Sequence, residues 1–337
     1  MNVSMWAKAL QTIPHVTKDE WAQLDVVSRF LIASRAGVFI ITFISAGLAG
    51  LFAFRDGQFD LGRWVLLTLG LLFAHATNNL LNDVTDYKKG VDQDNYYRAQ
   101  YGPQTLTHGL FTMREILTYA AVSGALALAF GAYLVFTGGA TAWILVGLGA
   151  FFVLFYTWPL KYIGLGEIAV IIVWGPLMIG GGYYVITGQW NWDVVWAGMP
   201  YALGATTVIF GKHIDKFDKD KEKGIHTLPV VIGEKAARYL GVAMMVLQYT
   251  FIVYLVVTGF FSPLLLIVFF AYKEFLNAYQ VYQHPKPTER PAYYTQESWP
   301  LFFVGFAFVH NRRFGLLFLL GLIGDLILSA VWPLIVK

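Results

Sequence analysis

Apolar runs close to twenty residues long recur along this chain, and they decide what it can fold into. GVFIITFISAGLAGLFAF (37–54) carries no charged residue over its whole length. About twenty residues at 1.5 Å per residue cover the ~30 Å hydrocarbon thickness of a bilayer as one helix. Comparable runs fall near 36–54, 64–82, 115–136, 141–158, 166–187, 194–211, 239–258, 263–282 and 315–335. They are separated by breakers such as TGGA (137–140), TGQWNW (187–192) and TGFFSP (258–263). The pattern predicts an all-α polytopic membrane bundle of about nine transmembrane helices. PLFFVGFAFVH (300–310) is too short to span and is expected at the membrane interface. Residues 17–35 mix charged and apolar positions and read as an amphipathic entry helix. The expected organisation is therefore a cytoplasmic amphipathic segment, 1–35, followed by a single transmembrane domain, 36–337.

Composition agrees. Of the 337 residues, 57% are hydrophobic and 13% charged, where a soluble domain carries about 25% charged residues. With no cysteine, disulfide frameworks and thiol chemistry are excluded. The beginning, MNVSMWAKALQTIPHVTKDEW, lacks a basic end followed by an apolar core, so no cleavable signal is expected. Basic residues orient the bundle. On the nine-span layout, 21 of the 24 Lys and Arg fall on the side of the N-terminus, leaving Arg55, Arg63 and Lys337 on the other. By the positive-inside rule this places the N-terminus in the cytoplasm, with the plasma membrane as the expected location.

Two acidic clusters share that side. In NNLLNDVTDYKKGVDQD (78–94), Asn79, Asn82, Asp83 and Asp86 occupy i, i+3, i+4 and i+7, one face of a helix that begins inside an apolar run. Lipid would penalise that face, so it points into a bundle or cavity. Like charges one turn apart repel and are relieved by a cation. The second cluster, GKHIDKFDKDKEKGIHTLPVVIG (211–233), interleaves Asp215, Asp218, Asp220 and Glu222 with five lysines. Taken alone, such a mixed loop is commonly a solvated surface with ion pairs. Two carboxylate clusters near basic residues match how magnesium, a hard cation favouring oxygen ligands, holds a phosphorylated substrate. His75 and His213 read equally well as structural histidines and as groups that orient a substrate or take a proton.

These stretches resemble the UbiA superfamily of intramembrane prenyltransferases. NDVTDYKKGVD (82–92) is similar to the family's first motif, N-D-x-x-D followed by a third acid. DKFDKDKEKGIHTLP resembles its second, and YTWPLKYIGLGE (156–167) its tyrosine and lysine loop. R-x-x-x-G-P at 98–103 and GLGEIAVIIVWGPLMIGGGYYVITG (164–188) look most like the menaquinone branch, which prenylates 1,4-dihydroxy-2-naphthoate. The second motif departs in one respect. The family places acids four and eight residues before the glycine; Asp220 fits the first position, and Lys216 occupies the other.

The resemblance implies a nine-helix bundle around a central cavity with cytoplasmic acidic cap loops. It implies Mg2+-dependent transfer of a prenyl group from a prenyl diphosphate to an aromatic acceptor. Asp83, Asp86 and Asp92 would bind one magnesium, and Asp215, Asp218 and Asp220 another. Asn79, Asn82, Lys88, Arg98, Lys161 and Lys216 would hold the diphosphate, with Lys161 also counted among the catalytic residues beside the acids. Tyr156, Trp158, Trp174, Tyr183 and Tyr184 are expected near the cavity. Alternative acceptors are 4-hydroxybenzoate, homogentisate, a chlorophyllide or a glycerol ether lipid. A cation-coupled transporter is the non-enzyme alternative, although these acids gather at one membrane face rather than at the midplane where carrier sites lie. The partners implied are the two substrates and the lipid bilayer, with no nucleic acid.

Overall fold

The computed structural model describes residues 1–91, 103–296 and 298–335, with side chains to 329. Among these residues the regular elements are helices, and the one β contact is an isolated parallel bridge between Ile163 and His226. Three short helices lead in: α1 (Val3–Gln11), α2 (Lys18–Gln23) and α3 (Val26–Ala33). Then follow α4 (Phe39–Arg55), α5 (Leu61–Lys88), α6 (Met113–Thr137), α7 (Gly139–Phe155), α8 (Gly166–Thr187) and α9 (Trp192–Asp215). The chain finishes with two short helices, α10 (Phe217–Glu222) and α11 (Leu228–Ile232), then α12 (Glu234–Val257), α13 (Pro263–Tyr282) and α14 (Phe303–Ile335).

Seven helices among the described residues are long and apolar enough to cross a membrane: α4 with its 3-10 lead-in from Ala36, α5, α6, α8, α9, α12 and α13. The other two expected spans are also helical, α7 with 17 residues and α14 with 33. The run at 300–310 departs from expectation. It is no separate interfacial segment, because α14 runs unbroken from Phe303 and buries Phe303, Ala307 and His310 completely. The entry segment departs too. Residues 17–35 break at Leu24, because the Asp25 carboxylate accepts from Ser28 N at 3.0 Å and so starts a new helix. Asp25 also accepts from Asn2 N at 2.7 Å and Trp6 Nε1 at 3.1 Å, tying α1 to α3.

The main core joins α4, α8, α9, α12, α13 and α14 through Ile44, Phe52, Tyr201, Ile252, Leu265 and Phe318. A second cluster packs Trp21 and Ile32 onto Leu80 and Val84 of α5 and Ile116 of α6, so the N-terminal helices are part of the body rather than an appendage. Leu128, Phe136, Ile144 and Leu154 on α6 and α7 stay exposed, as lipid-facing side chains do. Within α8, a π-helical stretch at Val173–Gly180 surrounds Pro176, which cannot donate to the helical ladder.

The two ends of the bundle differ in chemistry. At one end the Tyr183 hydroxyl donates to Asp56 Oδ2 at 2.7 Å, Tyr184 to Gly138 O at 2.7 Å, and Arg63 to Val185 O at 3.3 Å. These bonds place the Tyr183 and Tyr184 hydroxyls at the end remote from the acidic segments, where they close the loops. The other end gathers the C-termini of α5 and α9, the 156–165 connection and the N-termini of α8 and α14.

Candidate active site

Helix α5 brings the first acids to their place by its length. Its 28 residues extend about 42 Å, roughly 12 Å more than the hydrocarbon core. Its last turns therefore project beyond the apolar layer with Asn82, Asp83 and Asp86 buried on one face. The helix stops at Gly90, whose φ of 67° few side chains tolerate, and Val91 N returns to Asp86 O at 2.9 Å. The second segment ends in the same way. Gly224 has φ 65°, and Ile225 N returns to Asp220 O at 2.8 Å. Each of these acids thus stands four residues before a left-handed glycine, locked into a closing turn.

The buried carboxylates have basic partners. Asp83 accepts from the Arg35 guanidinium. Lys161 Nζ lies 2.8 Å from Asp86 Oδ1, with both side chains under a tenth exposed. Asn82 Nδ2 donates to Asp86 Oδ2 at 3.2 Å, while Thr157 Oγ1 donates to Asn82 Oδ1 at 3.1 Å. Asn79, half-buried, donates to Ser34 O at 2.8 Å, so the expected polar face of α5 also fastens the entry segment. In the second segment Lys216 Nζ lies 3.2 Å from Asp220 Oδ1, both buried.

Two segments far apart in sequence meet here. Lys223 donates to Gly90 O and to Val91 O, both at 2.7 Å. The 156–167 loop touches both. Thr157 and Lys161 hold the first motif, Ile163 bridges to His226, and Glu167 Oε1 lies 2.5 Å from His213 Nδ1. Glu167 Oε2 further accepts from Leu228 N at 3.3 Å, anchoring the T-L-P turn. Facing this junction, the Tyr156 hydroxyl is buried and has no hydrogen-bond partner among the described residues. Burial, then the Glu167 and Asp86 carboxylates, push its pKa well above the ordinary tyrosine value.

Several expected site residues are placed otherwise. Both Asp215 oxygens accept backbone N–H bonds from the start of α14, Oδ1 from Phe303 at 3.1 Å and Oδ2 from Val304 at 3.0 Å. Lys286 adds an ion pair to Asp215 Oδ1 at 3.3 Å. Asp218 is exposed on α10, and Lys88 is exposed on the last turn of α5. It is the adjacent Lys89 whose ammonium stands 5.0 Å above the Trp158 and Tyr162 rings. Asp92 and Arg98 lie outside the described residues. His75 reads as a structural histidine, with Nδ1 2.7 Å from Thr42 Oγ1 on α4 and its ring between Phe39 and Trp174.

Sequence reasoning passed over Arg35, Glu167, Lys89 and Lys286. Arg35 carried a local signal only in hindsight: it is the one non-glycine with positive φ, 57°, among the described residues. No motif marked it.

Among the described residues no three histidine or acidic side chains stand close enough to hold a metal ion unaided. The donor chemistry nonetheless fits magnesium at the first motif. Asp83 and Asp86 are buried carboxylates one turn apart on α5, and magnesium commonly takes one or two carboxylates plus substrate phosphates. The second motif offers less, because Asp215 caps a helix, Asp218 faces outward and Asp220 is left as a single buried carboxylate beside Lys216.

Residues 43–311 match the UbiA prenyltransferase family. The chain belongs to that family and is an enzyme of prenyl transfer. It is 25% identical to the 1,4-dihydroxy-2-naphthoate octaprenyltransferase of Bacillus subtilis (strain 168) over 265 residues, 77% of this chain and 80% of the relative. It is 23% identical to a UbiA prenyltransferase domain-containing protein 1 homolog of Drosophila melanogaster, over 66% of this chain and 62% of that protein.

The fold is similar to that of the apo UbiA homolog from Aeropyrum pernix K1, with TM-score 0.60 and 19% identity over 85% of this chain and 98% of that one. It is also similar to a UbiA homolog from Archaeoglobus fulgidus bound to DMAPP and Mg2+, with TM-score 0.58 and 16% identity over 86% of this chain and 99% of that one. Family membership sets the transporter alternative aside.

Proposed function

We propose that the protein transfers a prenyl group from a prenyl diphosphate to an aromatic quinone precursor, with 1,4-dihydroxy-2-naphthoate the first acceptor to test. The acceptor reading leans on the Bacillus subtilis relative and on the branch-like sequence of 164–188. The donor and metal reading leans on the Archaeoglobus fulgidus homolog bound to DMAPP and Mg2+.

The observation that carries the reading is the junction of the two acidic segments, with Lys223 on Gly90 O and Val91 O at 2.7 Å each. One small anion can then be gripped from both sides. Asp83 and Asp86 would hold Mg2+, which when bound neutralises diphosphate oxygens and makes them a better leaving group. Lys161 and Lys216 supply fixed positive charge toward the departing anion, and the Tyr156 hydroxyl is a donor that needs a partner. As the allylic C–O bond breaks, its electron pair leaves with the diphosphate. An electron-rich ring carbon of the acceptor then bonds to the prenyl carbon and sheds its proton. Nine spans, a cytoplasmic N-terminus and a plasma-membrane location complete the proposal, supported by 21 of 24 basic residues lying on the acidic side of that layout.

Purified protein supplied with geranylgeranyl diphosphate, Mg2+ and a panel of aromatic acceptors should release diphosphate and form a prenylated ring identifiable by mass. Product with 4-hydroxybenzoate, homogentisate or a glycerol ether and none with the naphthoate would refute the acceptor assignment. Absence of turnover with every acceptor would refute the reaction.

A further inference from the structure

The two acidic segments close on glycine in the same way but differ in what they carry. Counting back from the glycine, Asp86 and Asp220 occupy the same position, four residues before Gly90 and Gly224. One residue beyond the preceding turn the segments diverge. Asp83 stands seven residues before Gly90, while Phe217 stands seven before Gly224; Asn82 stands eight before Gly90, and Lys216 eight before Gly224. The second segment therefore lacks the neighbouring carboxylate that makes the first a pair.

Its other acids do not replace it. The Asp215 oxygens are engaged by Phe303 N, Val304 N and Lys286. Asp218 and Glu222 are exposed. What stands beside Asp220 is an ammonium, Lys216 Nζ, 3.2 Å from Oδ1, with both side chains almost fully enclosed. Asp83 and Asp86 also have basic partners, Arg35 and Lys161, but they stand one turn apart and can chelate an ion between them, whereas Asp220 has no second carboxylate beside it to share one with.

We propose that the Lys216 ammonium stands where a second metal ion would otherwise be needed, so that the site binds one divalent cation, at Asp83 and Asp86, and supplies the other positive charge from its own chain. This rests on the reading of the site as a magnesium–diphosphate site. The position eight residues before the glycine, an acid in the motif that this segment resembles, carries a tethered cation here. The permanent charge follows pairing geometry rather than free magnesium concentration.

Equilibrium dialysis of the full-length protein in detergent against Mn2+, with inorganic pyrophosphate as the anion, counts metal per chain. The expected count is one for the wild type and one for Lys216→Arg, which keeps the charge. It is two for Lys216→Asp, which places acids four and eight residues before Gly224. A wild-type count of two, or a count of one in a Lys216→Asp protein that melts like the wild type, overturns the proposal and leaves the magnesium-site reading standing. A wild-type count of zero overturns both. The wild-type count decides the matter alone should Lys216→Asp fail to fold.

Discussion

Asp86 is approached from two elements: Lys161 Nζ holds one oxygen at 2.8 Å, and Asn82 Nδ2 holds the other at 3.2 Å. An asparagine there keeps the shape and an acceptor but removes the charge that draws in a cation. Asp86→Asn is expected to lower kcat about 10²–10³-fold, the size of effect seen when one preorganised charge-stabilising group is lost. It should also lower the melting temperature, because Lys161 is left as a buried cation without its counter-ion. Turnover within a few-fold of wild type would show that Asp86 does not serve the metal. Tyr156 offers a contrasting case, since its hydroxyl has no partner to lose among the described residues. Tyr156→Phe should leave the melting temperature unchanged and cut kcat by about 10-fold, the worth of one hydrogen bond to a charged group. A drop in stability with unchanged kcat would assign the hydroxyl to folding instead.

At the scale of elements, the second acidic segment takes its position from α14, whose first residues lie 88 and 89 positions further along the chain. Asp215 acts as a remote cap on that helix, and a carboxylate at a helix N-terminus is favoured by the orphan N–H groups and the dipole there. Close packing reinforces the joint, since a Cβ on Gly211 would stand 2.7 Å from Val304 N. Asp215→Ala should destabilise the protein by about 1–3 kcal/mol, the cost of leaving buried donors unsatisfied. Asp215→Asn should recover only part of that loss, because its single amide oxygen can accept from one of the two N–H groups. Neither change should move the Mg2+ concentration giving half-maximal rate, whereas a raised requirement in both would make Asp215 a metal ligand after all.

Much of the molecule was legible from its sequence, for physical reasons that also say where legibility ends. Hydropathy located the helices because lipid demands long apolar runs, and the spacing Asn79–Asn82–Asp83–Asp86 located the polar face of α5 because helix periodicity is local. Lys223 on Gly90 O, and Asp215 on Phe303 N, could not be read, because nothing local in the chain records which loops become neighbours. Lys88 and Lys89, both exposed at the end of α5, differ on a finer scale. A one-residue step past the helix end is enough to set the Lys89 ammonium over the Trp158 ring. The run at 300–310 was misplaced because length rules treat it alone, whereas it continues into α14 through His310, Asn311, Arg312 and Arg313. Buried pairing and helix continuity are properties of the assembled bundle.

For the molecule as a whole, the decisive quantity is the affinity of purified protein for pyrophosphate in the presence of Mg2+, measured by calorimetry on the wild type, Asp86→Asn and Lys216→Gln. Both single variants, one from each acidic segment, should weaken binding by at least about 10-fold, because both segments line the same anion. The double variant should lose less than the product of the two effects, as coupled neighbours do. Unchanged affinity in Lys216→Gln, alongside a loss in Asp86→Asn, would mean that the two segments do not share one diphosphate.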